Sequence, residues 1–239
     1  MINQIGNSTS TFYTEIVVKN CYLFRNFGCD FFDYIIDIGA NIGMFVNCAH
    51  MRHPQAKIFA YEPCKPSFDM LVKNFCFMGN IICKNIAFGD GSPMIFCDNH
   101  IDGGNQFFKD EEIKGMQPAN NYQVDSIVLY DIFKQNNINL DSNYFIKIDC
   151  EGGERFLLHD NDCIDIIKKS CGFAIEVHFP QTRGKSKINK TAERFKTFPE
   201  WHEYDAWIRD NFSNTHNIVY HMSNGMQGHG TYALIRKDL

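Results

Sequence analysis

No run of about 18 or more uninterrupted apolar residues occurs in the 239 residues of the chain. The stretch Met1 to Ser10 is polar and has neither the charged start nor the apolar run of a secretory leader. The expectation is a soluble, unexported, cytoplasmic protein without a membrane span. A dense basic tract is missing too: 23 Lys and Arg stand against 28 Asp and Glu for a net charge of -5, and only Lys185, Lys187 and Lys190 cluster. Affinity that comes from neutralising phosphates needs the opposite balance, so nucleic acid is not an expected partner. The 10 cysteines include no Cys-x-x-Cys pair. In a chain this long they are expected to be reduced, buried, small hydrophobes rather than staples.

What is present is an alternation of short apolar runs with helical periodicity. Phe32 to Asp37 reads as a buried strand running into a turn with Gly39, Asn41 and Gly43, and Ile42, Phe45, Val46 and Ala49 then follow helix spacing. Lys57 to Tyr61 is a second strand ending at Glu62 and Pro63. A helix carries Phe68, Leu71, Val72 and Phe75, with Pro66 in its first turn and Gly79 beyond its end. Ile81 to Ile86 and Met94 to Cys97 read as strands, and a loop follows through about Tyr122. Asp125 is placed as the N-cap of a helix bearing Leu129, Ile132 and Phe133. Tyr144 to Asp149 and Gly172 to His178 are further strands flanking a mostly helical stretch from Glu154 to Lys169. Residues 180–200 are polar and basic and read as a mobile insertion or lid. A helix near Trp201 to Asn211 precedes two closing strands, His216 to His221 and Thr231 to Arg236.

This order predicts an α/β, Rossmann-like, doubly wound and mostly parallel sheet with a terminal antiparallel strand. Residues 32–239 make the main domain, and residues 1–31 a helical segment packed on it. In such sheets ligands bind beyond the carboxyl ends of the strands, where the glycine turn after the first strand offers free N–H groups at a helix start. The dinucleotide fingerprint G-x-G-x-x-G is not met, because Asn41 and Met44 occupy its second and third glycine positions. Glu62, ending the second strand, stands where an acid accepts hydrogen bonds from both hydroxyls of a ribose.

Asp37 to Gly43, Glu62-Pro63, Asn85 to Asp90, Val124-Asp125-Ser126, Lys147 to Glu154 and Glu176-Val177-His178 together resemble, in order, the motifs of the FkbM-type S-adenosylmethionine-dependent methyltransferases. The resemblance covers about residues 32–179; Cys150 and Gly153 depart from its usual Val and Ala. It implies that Asp37, Gly39 and Asn41 surround the methionine part of S-adenosylmethionine, with Ala40, Gly43 and Pro63 in the same cofactor site. It also implies that Glu62 holds the ribose and that Ala87 and Asn85 lie against the adenine. Members of the family methylate hydroxyls of sugars, glycolipids and other secondary metabolites, so a carbohydrate or glycan hydroxyl is the implied acceptor. A lipid or small-metabolite hydroxyl is the alternative, as is a cofactor-binding protein without catalysis. Methylation of DNA bases is disfavoured, since Asp149-Cys150-Glu151-Gly152 stands where an Asn/Asp-Pro-Pro-Tyr element belongs.

Strand alternation groups Lys147 with Asp149, and Glu176 with His178, near the ends of two strands that ought to be apolar throughout. Burying unpaired charge costs several kcal/mol per ion, so these groups pair with one another, a ligand or a metal. His178 is the candidate general base, oriented by Asp149, Glu151 and Glu176. Alternatively Asp149, Glu176 and His178 bind a divalent cation that acidifies the acceptor hydroxyl. Glu151 and Glu154 also suit a helix start, where the dipole favours acids. His216, His221 and His229 have no ligand spacing and read as structural or exposed. Trp201, Tyr204 and Trp207 read as walls of the core or of the acceptor site.

Overall fold

The apolar runs pair into one large sheet in a computed structural model of the chain, which describes residues 14, 16, 19–98, 106–108, 120–179, 199–222 and 229–239. After a 3-10 turn at Phe24–Asn26 come β1 (Tyr34–Ile38), α1 (Met44–Arg52), β2 (Lys57–Tyr61), α2 (Lys65–Phe75) and β3 (Ile81–Lys84). Then follow β4 (Ala87–Phe88), β5 (Met94–Asp98), β6 (Gln106–Phe108), β7 (Asn120–Val124), β8 (Ser126–Ile127), α3 (Leu129–Gln135) and β9 (Tyr144–Ile148). A 3-10 segment (Gly153–His159), α4 (Asp162–Lys169), β10 (Gly172–His178), α5 (Trp201–Phe212), β11 (His216–Met222) and β12 (His229–Arg236) complete the order.

Seven strands lie in the order β11-β12-β10-β9-β1-β2-β3. The pairs from β3 across to β10 are parallel, and β12 is antiparallel to both β10 and β11. This is the expected doubly wound sheet with its antiparallel end. Register decides the site: Asp37 on β1 lies opposite Lys147 on β9, and Lys147 opposite Ala174 on β10. Because side chains alternate across the sheet, these three share a face with Ile35 and Phe145, while Ile36, Ile38, Ile146 and Ile148 face the other way. The second face packs on α3, α4 and α5 through Ile132, Ile166 and Ile208. The first packs on Phe45 and Val46 of α1 and on Tyr22, Phe24, Phe27 and Phe32 from before β1. Each fully buried side chain of this size contributes about 1.5–3 kcal/mol.

Several expectations are corrected. Asp125 does not cap α3: Ser126 and Ile127 stay extended to pair with Ala87 and Phe88, the Asp125 carbonyl accepts the Ala87 N–H, and Val128 takes the N-cap place. The single helix expected from Glu154 is a 3-10 segment and then α4, because Asp160 between them is extended (φ -108°, ψ 93°). The loop through Tyr122 contains β6 and β7, which flank β5 in a three-stranded antiparallel sheet. None of the nine cysteines with described side chains forms a disulfide, but only Cys64, Cys150, Cys163 and Cys171 are buried, while Cys21, Cys48 and Cys83 are half-buried and Cys29 and Cys76 exposed. Within the segment 1–31, residues 19–31 hold the 3-10 turn and loops, with Tyr22, Phe24 and Phe27 packed on the sheet. The rest of that segment except 14 and 16, and the expected lid up to residue 198, lie outside the described residues. Among the described residues no helix is long and apolar enough to cross a membrane.

Candidate active site

The chain leaves β1 and β2 side by side, and both turns are tied together by backbone groups. Gly39 N and Ala40 N donate to Tyr61 O at 2.9 and 3.0 Å. Gly39 (φ 78°) and Gly43 (φ 95°) occupy the left-handed region, where a side chain is strained. A Cβ on Gly39 would stand 1.7 Å from Asp149 O, and one on Gly43 2.2 Å from the Phe75 ring. The neighbouring strand end and α2 therefore demand these glycines, whatever ligand is bound.

Asn41 N donates to Glu62 Oε2 and Cys64 N to Glu62 Oε1, both at 2.8 Å. Burial pushes the Glu62 carboxyl up to about 7, against the pull of those two N–H groups. Asn85 Nδ2 donates to the carbonyls of Glu62 and Pro63 at 2.8 and 2.9 Å, bracing the turn from behind. Gly39, Ala40, Asn41, Glu62 and Pro63 line one wall of a cleft. Asp37, Gly43, Asn85 and Ala87 are not among its lining: Asp37 lies beneath it, Gly43 begins α1, and Ala87 is buried in β4.

Lys147 forms the floor. Its Nζ donates to Gly39 O at 2.8 Å and stands 3.0 Å from Asp37 Oδ1 and 3.6 Å from Asp149 Oδ2. Neither Asp37 oxygen has a well-aligned hydrogen bond, so the ammonium is its compensation. Burial raises the Asp37 pKa, and Lys147 opposes that shift. Burial alone would lower Lys147, but Asp37 and Asp149 raise it, so the ammonium persists.

The opposite wall is acidic. Asp149, Glu151 and Glu176 line it, together with Tyr22, whose hydroxyl donates to Asp149 Oδ2 at 3.0 Å. Behind them His178 is clamped. Its Nδ1 lies 2.7 Å from Glu154 Oε1, its backbone N donates to the same oxygen at 2.8 Å, and its Nε2 faces Glu151 Oε2 at 3.4 Å and Glu176 Oε1 at 3.7 Å. The second Glu154 oxygen accepts from Gly152 N at 2.8 Å. Burial would lower His178, but Glu154, Glu151 and Glu176 hold it well above its ordinary value. Burial pushes Glu151 up to about 7; His178 opposes that shift and Asp149, Glu154 and Glu62 add to it.

One donor atom each from Asp149, Glu176 and His178 can come within 4.8 Å of the others. Each already serves the protein: Asp149 binds Tyr22 beside the Lys147 ammonium, and both His178 nitrogens and the Glu176 carboxylate belong to the clamp. A cation would compete with Lys147 for Asp149 and with protons on His178. The closeness of the three donors therefore does not by itself make a metal centre.

The catalytic candidates Lys147, Asp149, Glu151, Glu176 and His178 thus come together around one cleft. Three partners were not expected from sequence. Glu154, suited to a helix start, turns back to hold His178. His229 Nε2 stands 3.7 Å from Glu176 Oε1. Tyr22 comes from a segment without any motif. Trp201, Tyr204 and Trp207 lie along α5, where Tyr204 is core, Trp201 meets Tyr220 and Trp207 meets Phe212.

A solved FkbM methyltransferase from Methylobacillus flagellatus KT has the same fold at a TM-score of 0.50 and 16% identity, over 86% of this chain and 44% of that one. "Methyltransferase sdnD" of Sordaria araneosa is 42% identical over 62 residues, 26% of this chain and 23% of its own length. "31-O-demethyl-FK506 methyltransferase FkbM" of Streptomyces tacrolimicus is 40% identical over 62 residues, 26% of this chain and 24% of its own. The chain thus matches about a quarter of the length of these two relatives. "Methyltransferase 1" of Beauveria bassiana is 26% identical over 214 residues, 79% of this chain and 83% of its own. The model of the methyltransferase FkbM domain matches residues 37–212, which include every residue named above in the two walls except Tyr22, and the chain belongs to the FkbM methyltransferase family.

Proposed function

We propose that the protein is an S-adenosylmethionine-dependent O-methyltransferase whose acceptor is a carbohydrate or glycan hydroxyl. One observation carries this reading: Glu62, held by two backbone N–H groups, faces a wall of three carboxylates backed by His178 across a single cleft. Each Glu62 oxygen spends one lone pair on an N–H and keeps another, which suits the paired hydroxyls of a ribose. The acidic wall suits the positive charge of a sulfonium. When bound, S-adenosylmethionine supplies an electrophilic methyl group. The chain's part is to hold the acceptor oxygen in line with that methyl and to take up the hydroxyl proton. The acids and His178 support an oxygen acceptor, because a sugar hydroxyl is too weak an acid to react without a proton acceptor beside it. Tyr22 and Phe96 add aromatic lining, which supports the apolar faces of a sugar ring.

A second reading, with a small-metabolite hydroxyl as acceptor, is favoured by the Streptomyces relative, named as a methyltransferase of 31-O-demethyl-FK506. The test is calorimetry with S-adenosylmethionine, followed by labelled-methyl transfer to a panel of monosaccharides and oligosaccharides read by mass, with and without chelator. The expected result is cofactor binding, a mass gain of one methyl on a sugar, and no effect of chelation. Failure to bind S-adenosylmethionine rejects the reading. Binding without any sugar product moves the acceptor to another class, and activity restored by a divalent cation after chelation restores the metal role.

A further inference from the structure

We propose that Glu151 is the catalytic residue that takes the acceptor's proton, with His178 and Glu154 as its positioning residues. The proposal rests on the methyltransferase reading above and deepens it. Position is the first argument. The Glu151 side chain is 38% exposed and lines the cleft, whereas His178 is 7% exposed, Glu154 is fully buried, and neither lines it. The three groups form a row leading inward from the cleft, Glu151, then His178, then Glu154.

Occupancy is the second argument. Both His178 nitrogens point at carboxylates, Nδ1 at Glu154 and Nε2 at Glu151 and Glu176. His178 does not line the cleft and both ring nitrogens are turned to carboxylates, so the imidazole presents no lone pair to a hydroxyl held there. The other lining acids are committed elsewhere. Asp149 accepts from Tyr22 and adjoins Lys147, and Glu176 stands between His178 and His229 at 3.7 Å from each. Among the described residues, Glu151 has His178 as its one ionic partner. The charged groups facing it are His178 from β10, Asp149 from its own turn, Glu154 from the 3-10 segment and Glu62 beyond β2.

Backbone strain is the third. Glu151 is a non-glycine residue at φ 53°, followed by Gly152 at φ 108°. Such a conformation is strained and persists only where the surroundings enforce it. Here Glu154 enforces it by accepting the Gly152 N–H with one oxygen while holding His178 with the other. In the transfer, the acceptor oxygen forms the new O–C bond with a lone pair as the S–CH3 bond breaks and leaves its electrons on sulfur. The hydroxyl proton passes to the Glu151 carboxylate, so a sulfonium, an alcohol and a carboxylate become a thioether, a methyl ether and a carboxylic acid.

The test compares Glu151→Gln, Glu151→Asp, His178→Gln and Glu154→Gln in the full chain, using labelled S-adenosylmethionine and the sugar the panel identifies. Glu151→Gln is expected to lower kcat by roughly 10²–10⁴-fold, with the Kd for S-adenosylmethionine within about twofold of the parent. His178→Gln and Glu154→Gln are expected to lose about tenfold in kcat at unchanged KM, because they act through Glu151. Glu151→Asp, which keeps the carboxylate one methylene short, should recover part of the loss. It also stands in if thermal melting shows that Glu151→Gln is unfolded. The proposal is overturned if either Glu151 variant turns over at the parent rate, or if His178→Gln loses more than Glu151→Gln. If the parent binds S-adenosylmethionine but methylates no sugar, the carbohydrate reading fails and this role falls with it. Parent activity with an equally active Glu151→Gln overturns this inference alone.

Discussion

On the Glu62 wall of the cleft the polar contacts of Glu62 and Asn85 each have a backbone group as one partner and join residues 2 to 23 positions apart. On the His178 wall Glu154 also accepts from two backbone N–H groups, but side chains meet side chains as well, and Tyr22 reaches Asp149 across 127 positions. Floor and walls are bridged by Lys147, whose contact with Gly39 O spans 108 positions. The first wall consists of turns held by main-chain N–H groups, so its geometry depends on glycine and on chain direction. The second depends more on charge, because four carboxylates stand together there with Lys147, His178, His229 and the hydroxyl of Tyr22 among them.

The sharpest break of this contrast is at Gly39, where the two walls touch. Gly39→Ala should destabilise by about 4 kcal/mol or more, adding a clash with the Asp149 carbonyl to backbone strain. Gly91→Ala has the same sign of φ but nothing within 4 Å of the added Cβ, and should cost only about 1 kcal/mol. Equal losses in urea unfolding would show that strain, and not the meeting of the walls, sets the requirement for glycine.

Next in size is Glu154→Ala, which strips a buried histidine of its principal carboxylate and should cost about 3 kcal/mol in thermal unfolding. A loss no larger than that of an exposed acid would mean that the ionic wall is solvated. Glu62→Ala should weaken S-adenosylmethionine binding by ~1–3 kcal/mol in calorimetry and leave the His178 clamp intact. A comparable weakening by Glu154→Ala would erase the division of labour between the walls.

Acidity, by contrast, is shared between the walls. Folded Glu62 sits at about 7 against an ordinary 4.5, so between those values the native chain retains a proton that the unfolded chain has released. Stability from this group therefore falls as pH rises from about 4.5 to about 7, and Glu62→Gln should flatten that part of the Tm-against-pH curve. An unchanged slope would assign it to Glu151, raised over the same range. The smallest effect is expected for Tyr22→Phe, which keeps the ring against Phe45 and removes only the hydrogen bond to Asp149. It should cost about 1 kcal/mol of stability; a loss near 3 kcal/mol would give the hydroxyl a larger part in restraining Asp149.

Much of this was legible in the chain itself. The parallel strands announced themselves as apolar runs, and β2 and β10 have the bounds expected. The turn Asp37 to Gly43 and the acid at Glu62 could be placed at the carboxyl ends of β1 and β2. Less legible was everything in which a local preference lost to a distant partner. Asp125 has the chemistry of a helix cap but serves β4 through its carbonyl, because Ser126 and Ile127 gain a ladder there. Glu154 has the chemistry of a helix-start acid but is turned inward by His178, 24 positions away. The one available signal was that the charges on β9 and β10 required partners, and it did not say which.

The sequence alone therefore determined the alternation of strand and helix, the position of the switch point and the candidates Lys147, Asp149, Glu151, Glu176 and His178 brought to it, since these follow from periodicity and from turns between near neighbours. Only the tertiary structure decided which glycine answers to which contact, that Tyr22 covers Asp149, and that His178 stands behind Glu151. Side-chain pairing across the sheet depends on register and strand order, and a one-residue change of register would turn Asp37 and Lys147 to opposite faces. No local pattern in the chain records that choice.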